Sequence, residues 1–195
     1  MIKKTLLGVA TAAALVGAVQ AEEVKIGFLG GFTGPIESLT PPIYDAARLA
    51  VSHVNGQGGI LDGDILVMPS ADTTCVDSSA ATNGADRLIN SENVTAMVGA
   101  LCSGATIAAA NNVAVPASVV MISPASTSPA MTELNDNDQV FRTPPSDAYQ
   151  GEILARLLIS KGIQDAAVTY VNNDYGKGLA DAFAAAFESE GGMVM

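Results

Sequence analysis

The sequence predicts an α/β protein: a parallel sheet with covering helices, and a second βα series begun near its C-terminus. Three observations carry this. Short apolar runs rich in β-branched residues alternate with segments whose apolar residues recur at helical spacing. Thr95 to Thr127 reads as strand, turn, helix, strand, turn, with small hydroxyl residues just beyond each strand. Thr143-Pro144-Pro145-Ser146 then interrupts the series, because paired prolines resist both helix and sheet.

Taken in order, Val24 to Leu29 is the first strand and Gly30 to Pro35 a loop. Pro41-Pro42 precedes a helix from Ile43 to Asn55, with Ile43, Ala47, Ala50, Val51 and Val54 on one face and Gly56 to Gly59 as its stop. Ile65 to Met68 is the second strand. Asp72 to Ser79 is a polar turn, from which Asp77 or Ser78 caps a helix running to Asn90. The central unit supplies strands Thr95–Ala100 and Ser118–Ile122 around a helix from Ala105 to Val113. Ser128 to Gln139 is a polar loop and Val140-Phe141-Arg142 a short extended piece. Beyond the prolines come a helix from Ala148 to Ser160, a strand from Ala166 to Val171, a loop from Asn172 to Lys177, a helix from Gly178 to Glu190 and the opening of a strand at Met193.

The N-terminus carries a different signal. Lys3 and Lys4, the apolar run Thr5 to Val19 and the small-x-small site Val19-Gln20-Ala21 stand in the order of a secretory leader, 1–21. The run is short for a transmembrane helix, and no Cys near Ala21 offers a lipid anchor. Export as a soluble protein is expected. The formal net charge is −11, and removing the leader's two lysines makes it more negative still. Such acidity argues against nucleic acid and anionic membrane surfaces as partners. Two cysteines, Cys75 and Cys102, each follow a predicted strand. In an oxidising compartment an even count points to a disulfide, worth about 3 to 4 kcal/mol in the chain-entropy picture; two buried free thiols are the alternative.

Catalytic signatures are missing. His53 is the sole histidine and falls on the solvent flank of its helix, and there is no G-x-S-x-G turn. Gly27, Gly30, Gly31 and Gly34 do not fit a dinucleotide loop. Asp136 and Asp138 read as a solvated acidic loop rather than a calcium site, and two cysteines at this spacing without further ligands do not make a zinc site. The Asn93-Val94-Thr95 sequon runs into an expected buried strand. What remains is the carboxyl edge of the sheet, where ligands bind in open α/β folds. There Ser103 stands at a helix start, as a ligand contact or as an ordinary N-cap, and Thr127 stands in a turn.

Seven motifs in order (GGFTGP, NGQGGILDGD, DTTC, LCSGAT, MISPAST, VFRTPPSD and NDYGKGLADAF) resemble the leucine/isoleucine/valine-binding family of exported solute-binding proteins that feed ABC importers. The resemblance runs from Glu22 to Met195. It implies a type I periplasmic-binding-protein fold: two doubly wound parallel-sheet lobes joined by a hinge and closing on a ligand. Here 22–142 would be most of the first lobe, 143–146 the hinge crossover and 147–195 the start of an incomplete second lobe. By the same resemblance Ser103 binds an amino acid's carboxylate, the Ala125 carbonyl accepts from its ammonium, Thr127 serves either group, and Tyr175 closes from the second lobe. Leu39 takes a position where many relatives carry an aromatic residue, and the acid that usually neutralises the ammonium is expected beyond Met195.

The expectation is therefore a non-enzymatic, monomeric periplasmic protein that needs no cofactor or metal. It would bind a branched-chain or related amino acid and pass it to an ABC permease in the inner membrane. A relative tuned to an amide, urea or aromatic acid, and a receptor sensor domain, are the alternatives. The chain is expected to be a fragment of a longer reading frame, because one strand and two helices do not make a stable second lobe.

Overall fold

A computed structural model describes residues 21–195. The leader expected over 1–21 lies outside the described residues except for Ala21. The first strand, β1, spans Glu23–Gly30, and helix α1 spans Thr40–Gly56. Pro41 and Pro42 do not precede α1 but form its first turn, where a missing N–H costs nothing and φ is already helical. The second strand is shorter than expected, β2 at Ile65–Val67, and another strand follows it, β3 at Ser70–Asp72. Both pair with β1 in parallel, β2 with Glu23 to Lys25 and β3 with Phe28 to Gly30. The expected polar turn therefore begins one residue later than Asp72, which ends a strand.

Helix α2 (Ser78–Asp86) is capped by Asp77, whose carboxylate accepts from Ser79 N at 2.8 Å, and it widens into a π turn over Arg87–Ser91. Strand β4 (Ala96–Val98), helix α3 (Ser103–Ala109), strand β5 (Val120–Ser123) and strand β6 (Val140–Arg142) follow. The sheet runs β2-β1-β4-β5-β6, all parallel, with β3 also on β1. Its core lies between the sheet and α2 and α3, where Leu29, Leu88, Met97, Met121 and several alanines are buried. Thr95, expected inside a buried strand, is exposed just before β4.

The opposite sheet face is covered by α1, with the Tyr44 ring tilted against Phe28 at 4.7 Å between centroids. Beyond α1 that face stays open: Val120, Ile122 and Phe141 are 37%, 43% and 48% exposed.

After the prolines come α4 (Asp147–Ser160), β7 (Asp165–Ala166), α5 (Asp174–Ser189) and β8 (Met193–Val194), with β7 and β8 paired in parallel as a second sheet. The strand expected to reach Val171 stops at Ala166, because the residues beyond it have no partner strand among the described residues. The loop expected over Asn172 to Lys177 is largely the first turn of α5, capped by Asn173, which accepts from Gly176 N at 2.8 Å.

Helices α4 and α5 pack closely through Gly151, Ala155, Phe183 and Phe187. A Cβ added at Gly151 would lie 2.7 Å from the backbone of Ala182 and Phe183. Gly151→Ala gains about 1 kcal/mol of helix propensity but overpacks against main chain that cannot swing aside. A net loss on the order of 1–2 kcal/mol is expected in urea unfolding; equal or higher stability would show that α4 and α5 can separate freely.

Candidate functional site

A cleft of about 1010 Å³ lies between the carboxyl edge of the large sheet and the start of α5. Two fastenings shape its near wall. Cys75 and Cys102 are joined by a disulfide with their Cα atoms 5.5 Å apart, so the loops after β3 and β4 are covalently tied. Asp72 gathers the loop after β1: it accepts from Phe32 N, Thr33 N and the Thr33 hydroxyl, and from Thr74 N beside the cysteine. Burial pushes its carboxyl upward, but these hydrogen bonds outweigh burial and hold it below its ordinary value. Loop and bridge also touch, since a Cβ at Gly31 would lie 3.0 Å from Cys75 Sγ. The result is an apolar wall of Pro35, Ile36, Leu39, Ile43 and Val76, on which Leu39 is 59% exposed.

Ser103, Ala125, Thr127 and Tyr175 all line this one cleft. Ser103 is not the cap of α3; Cys102 occupies that position without a side-chain bond. Ser103 Oγ instead accepts from Ser128 N at 3.2 Å, which leaves its own proton without an acceptor among the described residues. Ala125 N donates to Ser123 Oγ at 3.3 Å, while its carbonyl takes no donor among the described residues. Tyr175 is 44% exposed and faces the cleft from α5.

Thr127 is more constrained than the sequence implies. Its hydroxyl donates to Asp147 Oδ2 at 2.7 Å, so its remaining capacity is as an acceptor. It suits an ammonium better than a carboxylate.

Asp147 is the residue that sequence reasoning passed over. It is 2% exposed, lines the cleft and sits in the first turn of α4 behind the Ser146 cap. Its N–H donates to Thr127 O at 2.9 Å, so backbone and side chain both grip Thr127. An acid just inside a helix start is ordinary as a dipole partner; the one available signal was its place at the end of VFRTPPSD. Arg142 completes the support, donating to Thr127 O at 3.2 Å and Ser128 O at 2.7 Å.

The cleft is acidic, with Asp77, Asp147 and Asp174 on its lining against Lys177. Lys177 is already bonded to Asp181, which raises its pKa. Among the described residues no group of three or more His, Cys, Asp or Glu is placed to hold a metal ion, and no helix is long and apolar enough to cross a membrane.

The receptor family ligand binding region matches residues 43–195. The chain belongs to this family. Relatives bear out the leucine/isoleucine/valine-binding resemblance. A Leu/Ile/Val/Thr-binding protein of Salmonella typhimurium is 31% identical, over 92% of this chain and 48% of its own length. A Leu/Ile/Val-binding protein of Rhizobium johnstonii is 30% identical, over 98% and 51%. Among solved structures, a leucine binding protein from Thermotoga maritima aligns with a TM-score of 0.78 at 29% identity, over 88% of this chain and 47% of that one. A Desulfitobacterium hafniense substrate-binding protein in complex with Leu aligns with a TM-score of 0.71 at 32% identity, over 89% and 50%. The family fold is thus the type I periplasmic-binding-protein fold, and this chain spans about half the length of the relatives it matches.

Because its pKa is depressed in the folded chain, Asp72 contributes stability that is present above its unfolded value and is lost as pH falls through its folded one. Thermal midpoints across an acid titration should fall less steeply for Asp72→Asn than for the parent chain. Parallel curves would mean that Asp72 does not hold the loop.

Proposed function

We propose that this chain is the ligand-capturing part of an exported solute-binding protein of an ABC importer, with a branched-chain or related amino acid as its ligand. The observation that carries the reading is Thr127, fixed as an acceptor by the buried Asp147 and placed beside Ser103 with its free proton. A zwitterion needs one donor set and one acceptor set a short distance apart. Ser103 supplies the first, by a charge-assisted bond to a carboxylate. The Ala125 carbonyl, Thr127 and the Asp147 charge supply the second. The apolar wall of Ile36, Leu39, Ile43 and Val76 then takes an aliphatic side chain.

In this reading 22–142 and 147–195 act as lobes about a hinge at 143–146. Tyr175 approaches from the second lobe, and closure follows from tighter binding to the closed form. An inner-membrane permease recognises that form; the protein works as a periplasmic monomer and no chemistry is done on the ligand. The acid expected beyond Met195 need not act alone, because Asp147 already places a carboxylate behind the ammonium-accepting groups. The same acidity disfavours ligands that are only anionic. A Rhodopseudomonas palustris solute binding protein in complex with 3,4-dihydroxy benzoic acid shares the fold with a TM-score of 0.75, but at 22% identity.

Thermal unfolding against free amino acids, simple amides and aromatic acids tests the reading, since a ligand of the folded state raises the midpoint. Leucine, isoleucine or valine should raise it. A rise only with amides or aromatic acids would overturn the amino-acid assignment. Asp147→Asn keeps an acceptor for Thr127 but removes the charge, so amino-acid affinity should fall roughly tenfold to a hundredfold in calorimetric titration. Unchanged affinity would place the ammonium elsewhere. Ser103→Ala should weaken binding by about 1 to 3 kcal/mol, and an equal Kd would remove Ser103 from the site.

A further inference from the structure

Two glycines stand inside helices where no backbone requirement explains them. Neither Gly104, in the first turn of α3, nor Gly178, a full turn into α5, has positive φ, and at Gly178 a glycine weakens the helix relative to alanine. Both are explained by what lies against them. A Cβ at Gly104 would come 2.7 Å from Asp174 Oδ2, and a Cβ at Gly178 would come 2.8 Å from Ser128 Oγ and 3.0 Å from Pro129 Cδ. The arrangement is reciprocal. The large-sheet unit offers Gly104 to a side chain from α5, and α5 offers Gly178 to a side chain from the large-sheet unit.

Ser128 joins this contact to the cleft. It is fully buried, and every polar group it carries is engaged. Its N–H donates to Ser103 Oγ at 3.2 Å, its carbonyl accepts from Arg142 at 2.7 Å, and its hydroxyl donates to the Asp174 carbonyl at 3.1 Å. That last bond crosses between the two units, and Ser128 does not line the cleft.

We propose that Ser128 is a positioning residue which couples ligand capture to closure, and that Gly104 and Gly178 are the paired gaps that let the two units meet around it. The inference rests on the reading of the cleft as a solute site. Separating the units breaks the Ser128–Asp174 bond, and closing them restores it while Thr127, the preceding residue, holds the ligand. The bond from Ser128 N to Ser103 Oγ lies within the large-sheet unit and ties the crossing residue to the cleft.

The test traps the contact covalently. The Cβ positions of Gly104 and Asp174 are 3.9 Å apart, within the span of a disulfide. In the full chain, Gly104→Cys with Asp174→Cys should therefore crosslink under mild oxidation, mapped by peptide mass with Cys75–Cys102 intact. Adding Gly178→Ala should slow the crosslink, and Ser128→Gly in that background should recover part of the rate. No crosslink, or a rate indifferent to Gly178→Ala, overturns the proposal.

Should Gly178→Ala fail to fold, Ser128→Ala removes bulk and adds none. A crosslinking rate lowered by roughly two- to tenfold, the worth of one hydrogen bond, supports the coupling, and an unchanged rate overturns it. The crosslinked chain should also exchange L-leucine far more slowly than its reduced form; equal exchange overturns the closure role. If the parent chain binds no L-leucine, the solute reading fails by itself, while the crosslinking rates still decide the contact.

Discussion

The Ala100 carbonyl fixes the geometry on which the cleft depends. It lies just past β4 and accepts from two buried hydroxyls, Ser123 at 2.6 Å and Thr106 at 3.1 Å. Thr106 and Ser126 also bond each other at 2.8 Å. None of the three hydroxyl residues is more than 1% exposed, so each would lose a full hydrogen bond without a replacement from water if the turn shifted. The cluster ties the start of α3 to the turn after β5, and these are the segments that carry Ser103 and Thr127. It also separates two kinds of hydroxyl that look alike in sequence. Ser123, Ser126 and Thr106 satisfy one another and form scaffold, whereas Ser103 and Thr127 sit at its edge with capacity left over.

The fold was legible because its signals are local. Helical spacing located α1, α4 and α5, and β-branched runs located β1, β4 and β5. Motif order gave the family, whose match over 43–195 and relatives near 30% identity agree. Elements were missed where a partner, not the residue itself, decides. Ser70-Ala71-Asp72 has little strand preference and becomes β3 because Phe28 to Gly30 present an open ladder. Ala166 to Val171 has strand composition but pairs only at Asp165 and Ala166. At the site, the sequence brought Ser103, Ala125, Thr127 and Tyr175 to one cleft. It could not give the direction of the Thr127 hydroxyl, which is set by Asp147 across a turn, and it passed over Asp147, whose place at a helix start is ordinary for an acid.

Charge and shape in the cleft act on different parts of a ligand. The acids Asp77, Asp147 and Asp174 act through space and favour any cation, without selecting a side chain. Selection falls to the wall of Ile36, Leu39, Ile43 and Val76, whose position is held by Asp72 and the Cys75–Cys102 bridge rather than by the sheet itself. Under the proposed function those two fastenings are therefore part of specificity, although neither carboxylate nor sulfur need touch a ligand. The exposed Leu39 offers the wall a flexible aliphatic surface with no hydrogen-bonding tip, which suits an aliphatic partner more than a polar one.

Consecutive residues divide the remaining work. Thr127 turns its hydroxyl to Asp147 and the cleft, and Ser128 turns its hydroxyl to Asp174 in the second unit. One guanidinium, that of Arg142, holds both carbonyls from the strand that leads to the prolines. The proposed coupling between ligand and closure therefore needs no long chain of contacts. Any shift that moves Thr127 also moves Ser128 through a single peptide unit, which is planar and stiff. Since Arg142 belongs to β6, the same shift is referred to the large sheet rather than absorbed by the loop. If the cleft captures a solute as proposed, a rigid peptide, a buried carboxylate and a strand-borne cation together make capture and closure parts of one displacement.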